Sequence, residues 1–295
     1  MTQRVAALAK INLALHVGAL RPDGYHPVDT LCVFAPGGDT LEIVGPAEAF
    51  SLEVIGPEGR GLDTGVSNLI LRAAQLLVER TPFQPVRFRL TKQVPVASGI
   101  GGGTSNGAAA LWLLNRSAGR PLSDEGLMRC AEGLGADGPV CLAPLLSAGS
   151  YRAEGIGHAV RPGPVLPPLW VCLANPGDAV PTGTVFRRFD AGVLPSPLFL
   201  PAMPPRMQLS DVVRFMEASR NDLAGPARSI CPAIADLENR MEAAPGCLAA
   251  RMSGSGATVF GLFASQGAAK RAARRLQPVT SWAISAPLVS GSDRP

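Results

Sequence analysis

The residues best suited to chemistry lie in a glycine-rich turn between a predicted strand and a predicted helix. Residues 99–103 hold four glycines in five positions, and two hydroxyl side chains follow directly. Glycine costs backbone entropy, but without a Cβ its N–H group can approach a ligand closely. The start of the next helix carries partial positive charge, which favours an anion. We interpret the turn as a phosphate cradle comprising Pro95, Val96, Ala97, Ser98, Gly99, Ile100, Gly101, Gly102, Gly103, Thr104 and Ser105.

Two common phosphate motifs do not describe this cradle. No Gly-Lys-Ser/Thr follows the glycines, so it is not a Walker A loop. The third glycine is misplaced for a dinucleotide fingerprint, and no acidic residue ends a second strand about 20 residues on. A plain glycine-rich turn stays open as the alternative, and the pattern alone does not identify the ligand.

Lys10 and Asp137 are the candidate charged groups. Lys10 stands among apolar residues in a β-prone run, where burial of its charge is costly unless it is paired. A solvated lysine on an edge strand is the alternative. Asp137 follows a predicted helix and is suited either to form a turn or to act as a general base that orients a hydroxyl group.

Three further segments have residues suited to bind a ligand. Tyr25 and His26 end a loop and are able to stack on a base and hydrogen-bond to it, although each alone is as easily a surface residue. Thr182 and Phe186 follow a strand and are placed to line a pocket. Residues 253–258 form a second small-residue turn, which is either a tight hairpin or a place where backbone passes close to phosphate.

The elements that must position these residues mix strands and helices. Short β-prone runs predict strands at 13–17, 30–34, 40–44, 50–55, 86–90, 169–174, 248–252 and 258–263. Helical spacing of apolar residues predicts helices after a Ser67 cap and at 106–115, 123–133, 232–243 and 264–276. Residues 191–206 are rich in proline and leucine and are expected to form a loop or a mobile cover. This mixture indicates an α+β or α/β fold.

Composition excludes several classes of protein. The 295 residues suit one large or two modest domains, and 46% hydrophobic with 17% charged residues is typical of a globular protein. The net charge of +4 is scattered, which argues against a nucleic-acid surface. No apolar run approaches the roughly 18 residues of a membrane span. The six cysteines form no CxxC pair, so we expect reduced thiols in a cytoplasmic protein without zinc.

Taken together, these segments resemble the GHMP kinase superfamily over nearly the whole chain. The matching segments are 9–13, 21–26, 68–74, 95–105, 134–139, 155–157, 175–177, 221–223 and 253–257. The Gly-Tyr-His and Gly-Ala-Asp elements distinguish the chain from mevalonate, homoserine and galactose kinases. They resemble the branch that uses ATP and Mg²⁺ to phosphorylate the 2-hydroxyl of a methylerythritol bearing a cytidine diphosphate group.

The resemblance implies a two-lobed α+β fold with mixed sheets and the active site in the cleft between the lobes. It implies an ATP-binding N-terminal domain at 1–150 and a C-terminal domain at 151–295. Lys10 and Asp137 become the catalytic pair. The other implied contacts are Asn12, Tyr25, His26, Thr182 and Phe186 for the substrate, and Asn68 and Lys92 for the adenosine, in addition to the cradle.

The chain departs from the family pattern at a few positions. Leu8 stands where proline is usual, and Gly138 stands where a β-branched residue is usual, so we expect a looser loop at Asp137. Another GHMP kinase with a different alcohol substrate, or a nucleotide-binding regulator without catalysis, stays open. The sequence indicates no Mg²⁺ ligands. We expect a monomer or a weak homodimer that binds neither membrane nor nucleic acid.

Overall fold

The computed structural model describes residues 3–192 and 197–290, and three four-stranded sheets are found there. The first has the strand order β1-β4-β6-β5, in which only β5 and β6 run parallel. Its strands are β1 (Gln3–Ala6), β4 (Thr40–Pro46), β5 (Ser51–Ile55) and β6 (Val86–Thr91). The helices that share its core are α1 (Leu69–Val78), α2 (Gly102–Ser117), α3 (Asp124–Glu132) and α4 (Gly138–Leu146).

The second sheet is antiparallel and has the order β2-β3-β7-β8. Its strands are β2 (Ala9–Val17), β3 (Val28–Ala35), β7 (Tyr151–Gly155) and β8 (Ala159–Pro162). Every residue of β2 is buried, because both faces of this strand are covered. The pairing of β3 with β7 carries this sheet past residue 150, and the division of domains at 150 stays a prediction.

The third sheet is antiparallel and has the order β10-β11-β9-β12. Its strands are β9 (Trp170–Asn175), β10 (Cys247–Met252), β11 (Val259–Phe263) and β12 (Trp282–Pro287). The helices of this part are α5 (Thr182–Asp190), α6 (Leu209–Ala218), α7 (Ala224–Ile230), α8 (Ala233–Glu242) and α9 (Gln266–Leu276). The second and third sheets share a core, in which Ile11 and Leu31 pack with Leu173 and Phe260.

The mixed α+β architecture confirms the predicted fold class, and each predicted strand overlaps an observed one. The predicted start of β2 at residue 13 is wrong, since the strand begins at Ala9. The predicted start of α2 at residue 106 is wrong, since the helix begins at Gly102. The predicted cap of α1 at Ser67 is wrong by one residue. The Asn68 side chain caps the helix by accepting from the Ile70 N–H, while the Ser67 hydroxyl donates to Asp63. Residues 197–206 contain no helix or extended strand, as predicted, whereas 193–196 lie outside the described residues.

Helix α4 was not predicted, because its sequence begins with Gly138-Pro139 and contains Pro144. Proline is tolerated in the first turn, where the missing N–H has no helical partner. A Cβ at Gly138 would lie 1.9 Å from the Ala131 carbonyl oxygen, so glycine lets the start of α4 pack closely on the end of α3. The departure at 138 therefore permits close packing at Asp137, where we had expected a looser loop.

Candidate active site

A cleft of about 1000 Å³ lies beside strands β2 and β3 of the second sheet. Strand β2, the 20–28 segment, the glycine turn and the start of α4 line it from the N-terminal half of the chain. Helix α5 and the 253–256 turn line it from the C-terminal half. Residues far apart in sequence therefore face one cavity, as the family resemblance implies.

The Lys10–Asp137 pair forms the charged centre of this cleft. The Lys10 Nζ lies 3.0 Å from Asp137 Oδ2. The lysine side chain is 6% exposed, whereas the aspartate side chain is 49% exposed and faces the cavity. Asp137 is the N-cap of α4, so its carboxylate also lies at the positive end of a helix dipole. The lysine is buried and paired, and the solvated alternative is wrong for this residue.

Electrostatics keeps Lys10 charged in this setting. Burial alone would lower the pKa of Lys10, but the charge of Asp137 and its hydrogen bond outweigh burial and raise that pKa above the ordinary value. Two buried thiols lie beside the pair. Burial, followed by the charge of Asp137, raises the pKa of the Cys141 thiol to about 12. Burial also raises the pKa of Cys32. Both thiols therefore stay protonated, and Lys10 keeps Asp137 as its anionic partner.

At some positions of the glycine turn the fold requires glycine, and at others it does not. Gly99 has φ of 77°, and a Cβ there would lie 2.6 Å from the carbonyl oxygens of Ser253 and Gly256. Gly101 has φ of 69° and serves as the N-cap of α2. At Gly103, by contrast, the nearest heavy atom that the structure describes would lie 3.9 Å from an added Cβ. The fold therefore explains Gly99 and Gly101, whereas it leaves space for a side chain at Gly103, where the role in the cradle stays a prediction.

Four buried polar atoms find no hydrogen-bond partner within residues 3–192 and 197–290, and three of them belong to residues that line this cleft, the exception being that of Ser105. They are Asn12 Oδ1, Ser98 Oγ, Ser105 Oγ and Asn106 Oδ1. A buried polar atom without a partner costs free energy, on the order of 1–3 kcal/mol. The Ser98 hydroxyl lines the cleft and is a suitable donor for a phosphate oxygen. The two amide oxygens only accept, so they need a ligand group that donates a hydrogen bond. The atoms without partners therefore fit a polar ligand that offers both acceptors and donors.

Asp39 anchors the wall next to the cradle. This carboxylate is 1% exposed and accepts from Lys92 Nζ at 2.9 Å and from Asn106 Nδ2 at 2.9 Å. It also accepts from the backbone N–H groups of Gln93 and Val94. Lys92 lines the cleft, but its ammonium is held by Asp39 and by the Val94 carbonyl. The ammonium group of Lys92 therefore has a structural partner, and its assignment to the adenosine stays a prediction.

Sequence reasoning missed Asp39 and Asn106. The sequence pattern places Asp39, after two glycines, in a turn between strands, and it places Asn106 in a helix without a further role. The sequence did carry a signal for Asn106, because this amide directly follows the glycine turn, on a helix whose start is expected to face the ligand. Asp39 gave no such signal, because its partners lie 53 to 67 residues away.

An aromatic cluster forms the other end of the cleft. The His26 ring lies 5.0 Å from the Phe186 ring, tilted by 31°. His26 Nδ1 lies 2.9 Å from the Gly18 carbonyl oxygen, which only accepts, so Nδ1 carries a hydrogen and donates. His26 Nε2 lies 3.4 Å from Asp190 Oδ1. Tyr25 is 54% exposed at the mouth. The structure thus brings Tyr25, His26 and Phe186 to one end of the cavity.

The turn at residues 253–256 connects the two ends of the cleft. It is the hairpin between β10 and β11, which confirms the tight-hairpin alternative. The hydroxyl groups of Thr182 and Ser255 lie 2.8 Å apart, at the aromatic end. Ser253 Oγ accepts from the Asn12 N–H at 3.1 Å, on the side of the charged pair. This hairpin therefore contacts helix α5, strand β2 and the glycine turn.

Nearly all of the predicted site residues line this one cleft. Ile100 and Ser105 do not: the Ile100 side chain packs in the core, and the Ser105 side chain is buried. The Ile100 carbonyl accepts from the Lys10 N–H at 3.0 Å, so this residue ties the turn to β2. The lining residues with predicted roles are Lys10, Asn12, Tyr25, His26, Asn68, Lys92, Pro95, Val96, Ala97, Ser98, Gly99, Gly101, Gly102, Gly103, Thr104, Asp137, Thr182 and Phe186. The individual roles of these residues stay predictions.

Two further properties concern metals and membranes. Within the described part of the chain, no three His, Cys, Asp or Glu side chains are grouped to hold a metal ion. Over the same residues, no helix has both the length and the apolar character needed to cross a bilayer.

Comparison with known proteins agrees with this geometry. Residues 68–143 match the family described as "GHMP kinases N terminal domain", and residues 205–278 match "GHMP kinases C terminal". A 4-diphosphocytidyl-2-C-methyl-D-erythritol kinase of Cereibacter sphaeroides is 45% identical, covering 92% of this chain and 93% of that protein. The kinase of the same name from Caulobacter vibrioides is 42% identical, covering 92% of this chain and 93% of that one.

Solved structures of kinases are also similar to this chain over nearly its whole length. The crystal structure of a 4-(cytidine 5'-diphospho)-2C-methyl-D-erythritol kinase has a TM-score of 0.75 at 30% identity, covering 98% of this chain and 100% of that chain. A homoserine kinase from Cytophaga hutchinsonii has a TM-score of 0.70 at 19% identity, covering 98% of this chain and 94% of that one, which shows the shared fold alone. The chain belongs to the GHMP kinases and, within them, to the 4-diphosphocytidyl-2-C-methyl-D-erythritol kinase family.

Proposed function

We propose that this chain transfers the terminal phosphoryl group of ATP to the 2-hydroxyl of 4-diphosphocytidyl-2-C-methyl-D-erythritol, giving the 2-phosphate and ADP. The observation that carries the proposal is the Lys10–Asp137 pair, 3.0 Å apart, in the same cleft as the glycine cradle and the aromatic cluster. The substrate is the one in the names of relatives that are 42–45% identical.

Asp137 is the proposed base. Its carboxylate is half-exposed in the cleft, where it is able to accept the proton of a substrate hydroxyl or orient that hydroxyl for attack. Lys10 holds Asp137 in position through their ion pair and offsets negative charge at the reacting oxygen. Phosphoryl transfer depends mainly on positioning and charge stabilisation, which a fixed ion pair and a backbone cradle supply.

The cradle is the proposed phosphate site. Backbone N–H groups at the start of α2, with the Ser98 hydroxyl, would hold the phosphates of ATP. When bound, ATP supplies the phosphoryl group, and Mg²⁺ offsets the charge of the phosphate oxygens. We propose Mg²⁺ because phosphates commonly provide its oxygen ligands, and we assign it no side chain.

The aromatic end is the proposed cytidine site. Tyr25 and Phe186 would flank the cytosine ring, with His26 at its polar edge and Thr182 close by. Stacking anchors a remote part of the substrate, and the energy of this anchoring helps to orient the reacting hydroxyl. Asn12, on β2 near Lys10, would contact the alcohol itself. Because all six cysteines are free thiols, we further propose a cytoplasmic enzyme.

Turnover by the purified protein tests the proposal. The protein is incubated with the cytidine substrate, ATP and Mg²⁺, while ADP release and the ³¹P spectrum of the product are followed. Asp137→Asn should lower kcat by roughly 10²–10⁴-fold and leave the Kd for ATP near that of the wild type. Asp236→Asn, an exposed change on α8, is the control. No turnover by the wild type would refute the function, whereas a fully active Asp137→Asn would refute only the base.

A further inference from the structure

In the side-chain amide of Asn12, the NH₂ group has hydrogen-bond partners, whereas the oxygen has none among the described residues. Asn12 is 1% exposed and lines the cleft. Its Nδ2 lies 2.8 Å from Thr30 Oγ1 and 3.4 Å from Cys32 Sγ. Its Oδ1 is buried and has no hydrogen-bond partner among the residues that the structure describes. A buried oxygen in this state needs a donor from a ligand to be satisfied.

The hydroxyl of Thr30 decides which end of the amide is open. Thr30 Oγ1 lies 2.6 Å from the Ala14 carbonyl oxygen, and a carbonyl only accepts, so the single Thr30 hydrogen is donated there. The Thr30 oxygen is then left as an acceptor, and Asn12 must present its NH₂ group to it. The Asn12 oxygen therefore faces away from Thr30. The chain of donors runs from Asn12 to Thr30 to Ala14.

The strand geometry places this oxygen on the side of the charged pair. Lys10 and Asn12 are two residues apart on β2, so their side chains project from the same face. The β2–β3 pairing has a register shift between Asn12 and Ala14. The Asn12 backbone is held as well, since its N–H donates to Ser253 Oγ at 3.1 Å. The open acceptor thus lies on a fixed backbone beside Lys10.

We infer that Thr30 is a positioning residue for the alcohol end of the substrate. Its hydroxyl locks the Asn12 amide with the oxygen toward the cleft, where that oxygen accepts a hydrogen bond from a hydroxyl group of the substrate. The inference rests on the proposed function. Without the Thr30 hydroxyl only the weak acceptor Cys32 Sγ favours this orientation, and a flipped amide presents a donor where the substrate needs an acceptor.

Three variants separate the hydroxyl of Thr30 from its bulk. Thr30→Val keeps the shape and removes the hydroxyl, Thr30→Ala is a second variant without it, and Thr30→Ser keeps it. We expect Thr30→Val and Thr30→Ala to lower kcat/KM for the alcohol substrate roughly tenfold, with KM for ATP unchanged, and Thr30→Ser to stay within about twofold of wild type. Thr280→Val is the matched control, because Thr280 also donates to a carbonyl, that of Leu276 at 2.9 Å, outside the cleft.

A double-mutant cycle with Asn12→Ala distinguishes positioning from direct contact. If Thr30 acts through Asn12, adding Thr30→Val to Asn12→Ala causes no further loss of kcat/KM. An equal loss in both backgrounds would overturn the inference, as would full activity of Thr30→Val or failure of Thr30→Ser to retain activity. If Thr30→Val does not fold, Thr30→Ala is used in its place in the cycle. Wild-type turnover is measured first, so failure of the proposed function is recognised separately.

Discussion

Gly103 offers a direct test of the phosphate cradle, because helix stability favours alanine at this position whereas phosphate binding favours glycine. It is the second residue of α2, and the substitution Gly103→Ala adds only a methyl group. The nearest heavy atom described by the structure, Leu69 Cδ1, would lie 3.9 Å from the new Cβ, which is an ordinary contact. Alanine is the better residue for a helix. Glycine at this position is therefore expected if a ligand uses the space beside it.

The expected magnitudes follow from these contacts. Replacing a helical glycine by alanine stabilises by about 0.5–1 kcal/mol, which should raise Tm by about 2 °C in a protein of this size. The same methyl group extends into the cleft beside the backbone N–H groups of the cradle. Loss of one hydrogen bond to a charged phosphate costs about 1.5–3 kcal/mol, so the Kd for ATP should rise by roughly 10- to 150-fold.

The assay is thermal unfolding together with ATP binding by calorimetry. Gly267→Ala is the control, because Gly267 is also the second residue of a helix, α9, and is exposed outside the cleft. The nearest neighbour of a Cβ there is the mobile end of Arg271 at 3.3 Å. Both variants should gain stability, and only Gly103→Ala should lose ATP affinity. Unchanged ATP affinity in Gly103→Ala, or its destabilisation, would refute the reasoning.

Two other predictions follow from the charged groups. Lys10→Met should lower kcat by about 10²–10³-fold, because the cation beside the reacting oxygen is lost. Its Tm should be no lower than that of the wild type, because a costly buried charge is removed while half-exposed Asp137 stays solvated. Steady-state kinetics measures the first effect and calorimetry the second. Burial, followed by the charge of Arg220, lowers the pKa of His16, so the unfolded chain binds the proton more readily and stability should fall as pH drops below about 6.5. A Tm profile from pH 7.5 to 5 should be flatter for His16→Gln, and an identical profile would contradict the assignment.

Much of the site could be predicted because its residues carry local signals. A lysine in an apolar β-prone run requires a partner, and Asp137 is that partner in the structure. Taken singly, Lys10 and Asp137 each had a structural alternative to a catalytic role. Only their occurrence together with the cradle, in the order typical of the GHMP kinases, indicated that they form a pair. The strand positions followed from β-branched and aromatic runs.

The start of α2 was misplaced because glycine propensity opposes the structure that forms. Gly102 and Gly103 are poor helix residues, so local preference delays the helix to residue 106. The fold overrides this preference, with Gly101 in the left-handed region as the N-cap. Helix α4 escaped prediction for a related reason. It is buried along almost its whole length, so packing rather than an amphipathic pattern determines it.

The remaining parts depend on contacts between distant residues. Gly99 looked like a ligand position, yet its lack of a Cβ is also required by the Ser253 and Gly256 carbonyls, more than 150 residues away. Asp39 looked like a turn residue and instead fixes the wall of the cradle through Lys92 and Asn106. Such pairings follow from the assembled sheets, and no local pattern in the sequence encodes them.

Substrate selectivity of the purified protein tests the central claim most directly. The cytidine diphosphate-bearing methylerythritol, mevalonate and homoserine are each offered with ATP and Mg²⁺, and kcat/KM is measured for each alcohol. We expect efficient phosphorylation of the cytidine substrate at its 2-hydroxyl and negligible turnover of the other two. Comparable or faster turnover of mevalonate or homoserine, or no phosphoryl transfer to the cytidine substrate, would contradict it.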